Sequence, residues 1–235
     1  MTELIGARLR RWVRDQGPSP LLTYYHPSRG ERVELSGVSL ANWVDKTSNL
    51  LVDELDAEPG GVVDLTLAKA HPGHWVTLVW VLACWQVGAV VSLDRGGARI
   101  AVLGPDDPVA TAPADTVLVC SLHPLGLPLP GPPADAALDY ALEVRSQPDQ
   151  HAGVPQSGLT PAWWDRHRQL TQADLVAGPG SGARRLIRPS DPWDTVRTAL
   201  VAPLLGGGST VVVAGPAEDE RLAEIAAQER ATTAG

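Results

Sequence analysis

Several residue groups in this sequence carry side chains capable of chemistry. His71 and His74 stand at i and i+3 across Pro72-Gly73. That pair could hold a metal ion, but no carboxylate or third ligand is near in sequence, and a helix-capping role fits the same residues. Gly178-Pro179-Gly180-Ser181-Gly182, followed by Arg184 and Arg185, could cradle an anion. Against this, Pro179 removes a backbone donor, and a glycine turn feeding a strand accounts for the same pattern. Gly206 to Gly208 follow a helical pattern, and a helix C-terminus repels phosphate, so they read as a cap. Ser121 and His123 lie just past the apolar run Thr116 to Cys120; ligands in α/β sheets sit at such carboxyl ends of strands, and a plain loop histidine is the competing reading. Trp163-Trp164 puts two indoles in a polar stretch, as a contact surface or ligand lid, or as packing from outside. Ser36, Ser121 and Ser157 lack the Gly-x-Ser-x-Gly context of a hydrolase. No G-x-G-x-x-G follows a strand, which speaks against a dinucleotide cofactor. No catalytic residue and no metal site is expected.

The elements that must position these groups are organised around 62–94. An apolar strand is expected over Val62 to Leu67, a turn at Pro72-Gly73, a helix from His74 to Val87, and a strand from Ala89 to Leu93. Strand, helix and strand at this spacing form a parallel βαβ unit. The helix is apolar nearly all round, so it should be buried on most sides. Upstream, the pattern predicts a helix over 3–16, a hairpin of Leu21 to Tyr25 with Arg32 to Leu35, and a helix from Ser39, as N-cap, to Leu55. Downstream it predicts strands over Ile100 to Leu103 and Thr116 to Cys120, joined by the polar stretch Asp106 to Ala114. The helices are Ala134 to Arg145, Trp163 to Ala177, Asp191 to Leu205 and Glu218 to Arg230. The later strands are Arg185 to Arg188 and Thr210 to Ala214, and 231–235 reads as a frayed end. Arg95-Gly96-Gly97 is expected to be a loop. Strands alternate with helices throughout, which predicts a three-layer α/β protein with a mostly parallel sheet. The Pro/Gly-rich stretch 124–133 divides the chain into subdomains 1–123 and 134–235, or links parts of one compact domain.

Composition narrows the function classes. Of 235 residues, 44% are hydrophobic, enough for a core, and the formal net charge is -8, which argues against a general nucleic-acid binder. Only Lys46 and Lys69 are lysine, a bias towards arginine that suits a GC-rich bacterial genome. Cys84 and Cys120 sit in apolar runs and read as buried free thiols in a reducing cytoplasm, with a disulfide between them as the alternative. The first twelve residues have no signal-peptide pattern. The apolar run Trp75 to Leu93 approaches membrane-spanning length, but Gly88 and the β-rich residues after it split it into helix and strand.

Three segments, in order, resemble the N-terminal half of the adenylate-forming superfamily (acyl-CoA synthetases, peptide-synthetase adenylation domains and luciferases). They are Leu35 to Leu40 with Asn49-Leu50-Leu51, then Leu82 to Asp94, where Ser92 replaces the usual proline, and Val201 to Val212. The resemblance implies an N-terminal α/β fold of that family, in truncated form. The family's phosphate loop reads T-S-G-T-T-G-x-P-K, and its place here is taken as Gln156 to Pro161, ahead of Leu170-Thr171-Gln172. Ser157, Gly158 and Thr160 then remain, while the lysine region reads Trp163-Trp164-Asp165-Arg166. Bulky indoles and a carboxylate are poor neighbours for a triphosphate.

The resulting expectation is a cytoplasmic, non-enzymatic relative that binds a protein partner, a second copy of itself or a small apolar ligand, with no nucleic acid and no membrane. Trp163, Trp164, Ser121 and His123 are the candidate contacts, and no cofactor is needed. The alternative keeps residual adenylate-forming or nucleotide-binding activity on ATP or AMP with magnesium, with Ser157, Gly158, Thr160 and Arg166 touching phosphate.

Overall fold

The computed structural model describes residues 3–94, 97–109, 112 and 114–233. Arg95 and Gly96 of the expected loop, part of the Asp106 to Ala114 connection and the last two residues lie outside these. In chain order the chain forms α1 (Ile5–Gln16), β1 (Pro20–His26), β2 (Glu31–Ser36), α2 (Gly37–Asn49), β3 (Val62–Asp64), α3 (Leu67–Ala70), α4 (Trp75–Val87) and β4 (Val90–Ser92). Then come β5 (Ile100–Leu103), β6 (Thr116–Val119), β7 (Leu138–Asp139), α5 (Tyr140–Arg145), β8 (Pro161–Trp164), β9 (Gln169–Thr171) and α6 (Gln172–Leu175). The chain closes with β10 (Arg184–Ile187), α7 (Pro192–Val196), α8 (Ala202–Gly206), β11 (Ser209–Val213), α9 (Asp219–Gln228) and β12 (Thr232–Thr233). π-helical turns prolong α2 over Leu50–Glu54 and join α7 to α8 over Arg197–Val201.

The α/β class with mostly parallel strands holds, but the strands divide between two sheets rather than one. The first has the order β12-β10-β11-β1-β2 and the second β7-β6-β5-β3-β4-β8-β9. Among the described residues only β1–β2 and β8–β9 pair antiparallel. Helix α2 packs on β1 and β2 and also on α4, which packs on β4, so these two helices lie between the sheets. That position explains α4: from Trp75 to Val87 every residue except Gln86 is buried. His74 caps its start, with Nδ1 accepting from Val76 N, and Gly88 ends it at φ 81°, a left-handed conformation that glycine adopts without strain. The expected βαβ unit forms, with Val63 beside Val91 in parallel register. Among the described residues no helix is long and apolar enough to cross a membrane.

Other expectations needed correction. The helix predicted over Trp163 to Ala177 is a hairpin, β8 and β9, followed by the single turn α6. Pairing with β4 decides this, since Trp163 aligns with Val91 and Trp164 with Ser92, and aromatic residues suit a half-buried pleated strand. Thr171 is the N-cap of α6 and closes a capping box with Asp174. The N-cap of α2 is Ser36 rather than Ser39, its hydroxyl accepting from Ser39 N at 3.0 Å. Ala134 to Arg145 is helical only from Tyr140, because Leu138 and Asp139 extend the sheet beside β6. The stretch 124–133 connects β6 to β7, neighbours in one sheet. Each sheet takes strands from both 1–123 and 134–235, so the boundary between sheets does not fall at that stretch. Thr232 and Thr233, expected to fray, pair with β10.

Candidate functional site

A cleft of about 820 Å³ opens between the first half of α1, the end of α4, the segment 151–158 and the start of α6. The segment before it is held to α2. Lys46 Nζ donates to the Gln147 carbonyl and pairs with Asp149, Asn49 Nδ2 donates to the Pro148 and Gln150 carbonyls, and Asn49 Oδ1 meets His151 Nδ1 at 2.7 Å. Burial pulls the His151 imidazole below its ordinary pKa, so the ring is neutral near pH 7. Leu4, Ala7, Trp85, Val154 and Pro155 give apolar wall, while Arg10, Gln86 and Gln172 add polar groups. Gln172 is 1% exposed, and its Nε2 donates to the Trp85 carbonyl at 3.0 Å. Among the described residues its Oε1 has no hydrogen-bond partner.

Ser157 and Gly158 lie on this cleft. Their backbone forms a tight turn, not an open anion nest. Thr160 N donates to the Ser157 carbonyl, Leu159 N to Ser157 Oγ, and the Gly158 and Thr160 carbonyls accept from Ala173 N and Gln172 N. Arg166 is not beside them. It sits at the far end of β8, in the turn 165–168.

That turn lies one residue ahead of Leu170-Thr171-Gln172 and folds on one carboxylate. Asp165 accepts from Trp163 Nε1 at 2.8 Å, His167 N at 2.7 Å and Arg168 Nη1 at 3.0 Å. Burial alone would raise the Asp165 carboxyl, but these donors outweigh it and hold the group below the usual carboxylate range. Asp165 N donates to the Arg168 carbonyl and Arg166 N to Asp94 Oδ2. Three successive N–H groups are therefore engaged within the protein, two of them on carboxylates. A phosphate loop needs such groups free and facing the anion.

The remaining candidates are structural in their contacts. Trp163 is fully buried, its ring 5.3 Å from that of Trp193, and Trp164 is half-buried; a paired exposed indole surface is not present. Adjacent strand residues point to opposite faces, which separates the two rings. Ser121 Oγ donates to the Leu127 carbonyl, and His123 Nδ1 accepts from Leu125 N, so both shape the loop after β6. Gly180 and Ser181 pack against Gly206, and Arg184 pairs with Glu229 at 2.6 Å, which takes the glycine turn into the framework. Cys84 and Cys120 are free and buried; burial pushes the Cys84 thiol up to about 12, where it is unreactive. Among the described residues no group of three or more His, Cys, Asp or Glu could hold a metal ion. The sequence reading missed the α1 wall of the cleft, because only the three-dimensional packing of α1 on α4 creates it.

No protein-family model matches the chain. Among solved structures, Brucella canis acyl-CoA synthetase superposes with a TM-score of 0.76 at 16% identity, covering 98% of this chain and 46% of that one. The N-terminal domain of FACL13 from Mycobacterium tuberculosis superposes with a TM-score of 0.68 at 14% identity, covering 98% of this chain and 62% of that structure. The chain thus spans about half to two thirds of these structures, and the resemblance read from three segments holds at the level of the fold. In sequence, a TIGR03089 family protein of Mycobacterium tuberculosis (strain ATCC 25618 / H37Rv) is 37% identical over 228 residues, which cover 92% of this chain and 91% of the relative. The chain belongs to the TIGR03089 family, on a fold shared with acyl-CoA synthetases.

Proposed function

We propose that the protein is a non-catalytic binding module that takes a small, mostly apolar ligand into the cleft between α1, α4 and 151–158. The observation that carries this is the turn 165–168. Where the resemblance puts the lysine end of a phosphate loop, the chain has a closed turn with its N–H groups engaged and a carboxylate at its centre. Loss of preorganised donors at such a place removes several kcal/mol of transition-state stabilisation. The cleft persists at the other end of β8, within the size range of small-molecule sites. Its apolar wall suits a hydrocarbon body, and the Gln172 carbonyl oxygen suits a ligand donor. The test is ATP–pyrophosphate exchange with a panel of carboxylic acids, run beside calorimetry with medium-chain fatty amides. No exchange together with amide binding that Gln172→Leu weakens supports the module. Acid-dependent exchange overturns it.

One observation favours a second reading, residual nucleotide binding on ATP or AMP with magnesium. Ser157 and Gly158 share the cleft with Arg10, so a phosphate could enter there without Arg166. Under that reading Ser157→Ala with Gly158→Val weakens nucleotide affinity, and unchanged affinity sinks it. A protein partner or a homodimer is a further role for the module; sedimentation as a monomer at micromolar concentration counts against the dimer.

A further inference from the structure

A second pocket, of about 270 Å³, lies where the two sheets meet. Its first wall comes from the carboxyl ends of three parallel strands. β1 ends at His26, β11 at Val213 and β10 at Ile187, and Arg29, Arg188 and Gly215 follow them. Ligands of α/β sheets bind beyond such ends. The opposite wall is His71 to His74, ahead of α4, with Leu122 from the second sheet. At Gly73 the two walls approach so closely that a Cβ would stand 2.6 Å from Pro189 Cγ.

The charge of this pocket opposes that of the molecule. The chain carries a net charge of -8, yet two arginines and three of its six histidines line the pocket, and no lining residue is acidic. Arg188 donates one N–H to the Gly215 carbonyl at 3.1 Å. Among the described residues neither Arg29 nor Arg188 forms an ion pair. An arginine with a free fork is the side chain suited to a tetrahedral oxyanion. His74 adds a directed donor. Its Nδ1 accepts from Val76 N at 3.2 Å, which leaves the ring proton on Nε2. Nε2 approaches the Leu122 carbonyl without forming a hydrogen bond of good geometry. The neighbouring carboxylates, Asp106 and Asp107 towards His71 and Glu31 towards Tyr24, act from outside the pocket lining.

We propose that this pocket binds a phosphoryl group, as free phosphate or on a small monoester, between the Arg29 and Arg188 guanidiniums with His26, His71 and His74 around it. The site is separate from the α1–α4 cleft, and the failure of either leaves the other standing. Its small volume excludes a whole nucleotide and admits a phosphoryl group with a short substituent.

The test is titration calorimetry at low ionic strength with inorganic phosphate, ethyl phosphate and acetate. It uses the unaltered chain, Arg29→Ala/Arg188→Ala, and Arg99→Ala as a control far from the pocket. Arg29 and Arg188 are exposed, so the double variant should fold, which an unchanged thermal midpoint without ligand verifies. Saturable phosphate binding, weakened at least tenfold in the double variant and unchanged in the control, is the expected result. Tighter binding of ethyl phosphate assigns a monoester, and equal or weaker binding assigns free phosphate. No saturable binding, binding that survives the double variant, or acetate binding as tight as phosphate overturns the proposal.

Discussion

Strand β4 has two neighbours, and they differ in kind. On one side β3 and α4 complete a unit made almost wholly of packing. On the other, β8 and β9 form a hairpin whose tip consists of Asp165, Arg166, His167 and Arg168 around one carboxylate. The first region contains one of the three segments that carry the superfamily resemblance. The second is where that resemblance locates chemistry and where the chain departs from it. The difference teaches that a fold and its reaction are held by separate residues. Burial of α4 keeps the architecture, and nothing in that burial requires a phosphate loop next door.

Substitutions can break or sharpen this contrast. Trp80→Ala should have the largest effect. Trp80 is fully buried, with its ring 5.0 Å from Tyr140, and a buried Trp→Ala costs about 3–5 kcal/mol, read as a lower midpoint in urea. Glu229→Gln should follow. Glu229 is 9% exposed and accepts from Tyr25, Arg32 and Arg184, tying the residue after α9 to the first sheet. Arg32 keeps Glu34 as a partner at 2.6 Å, so the loss falls mainly on the less exposed Arg184, and losing its charge-assisted hydrogen bond should cost about 2 kcal/mol. Burial would raise the Glu229 carboxyl, but its three donors outweigh this and lower it. Its contribution is therefore present above the ordinary carboxylate pKa and lost as pH falls through the lowered folded value.

Acid sensitivity should begin earlier, from His74. Burial drives that imidazole from 6.5 down to about 3. The folded ring stays neutral while the unfolded ring takes a proton, so stability is full above about pH 6.5 and falls as pH drops towards 3. His71 and His151 shift the same way. His74→Asn keeps an N-cap oxygen and should flatten the slope of stability against pH between 6 and 4; an unchanged slope refutes the assignment to His74.

At the hairpin tip the effects should be smaller. Asp165→Asn weakens three hydrogen bonds to a charged acceptor and should cost about 1–2 kcal/mol. Arg166→Ala, on an exposed side chain, should stay within about 0.5 kcal/mol. Equal losses at Trp80 and Arg166 would contradict the contrast between the two regions.

How far the sequence was legible follows the same line. The α4 unit was readable because its signals are local: a continuous apolar run, a histidine cap and a terminating glycine. Asp191-Pro192 at the start of α7 was readable for the same reason, and Asp191 Oδ1 does accept from Trp193 N and Asp194 N. The hairpin was not, because Trp163 is placed by a partner strand some seventy residues upstream, and its neighbours Arg166, Arg168 and Asp165 mimic a helix in pattern. Splitting into two sheets was also hidden, since β1 pairs with β11 from the far end of the chain. Within the cleft, Ser157 and Gly158 were found through the resemblance, whereas Gln172 and Arg10 became candidates only once α1 was seen against α4.

The most direct test of the central claim is calorimetry of the purified protein with ATP·Mg and then AMP. A closed turn at 165–168 predicts no binding tighter than about 100 μM, roughly −5.5 kcal/mol, and no thermal shift. Binding tighter than that, weakened by Arg166→Ala, would show that the turn still receives phosphate and would contradict the account.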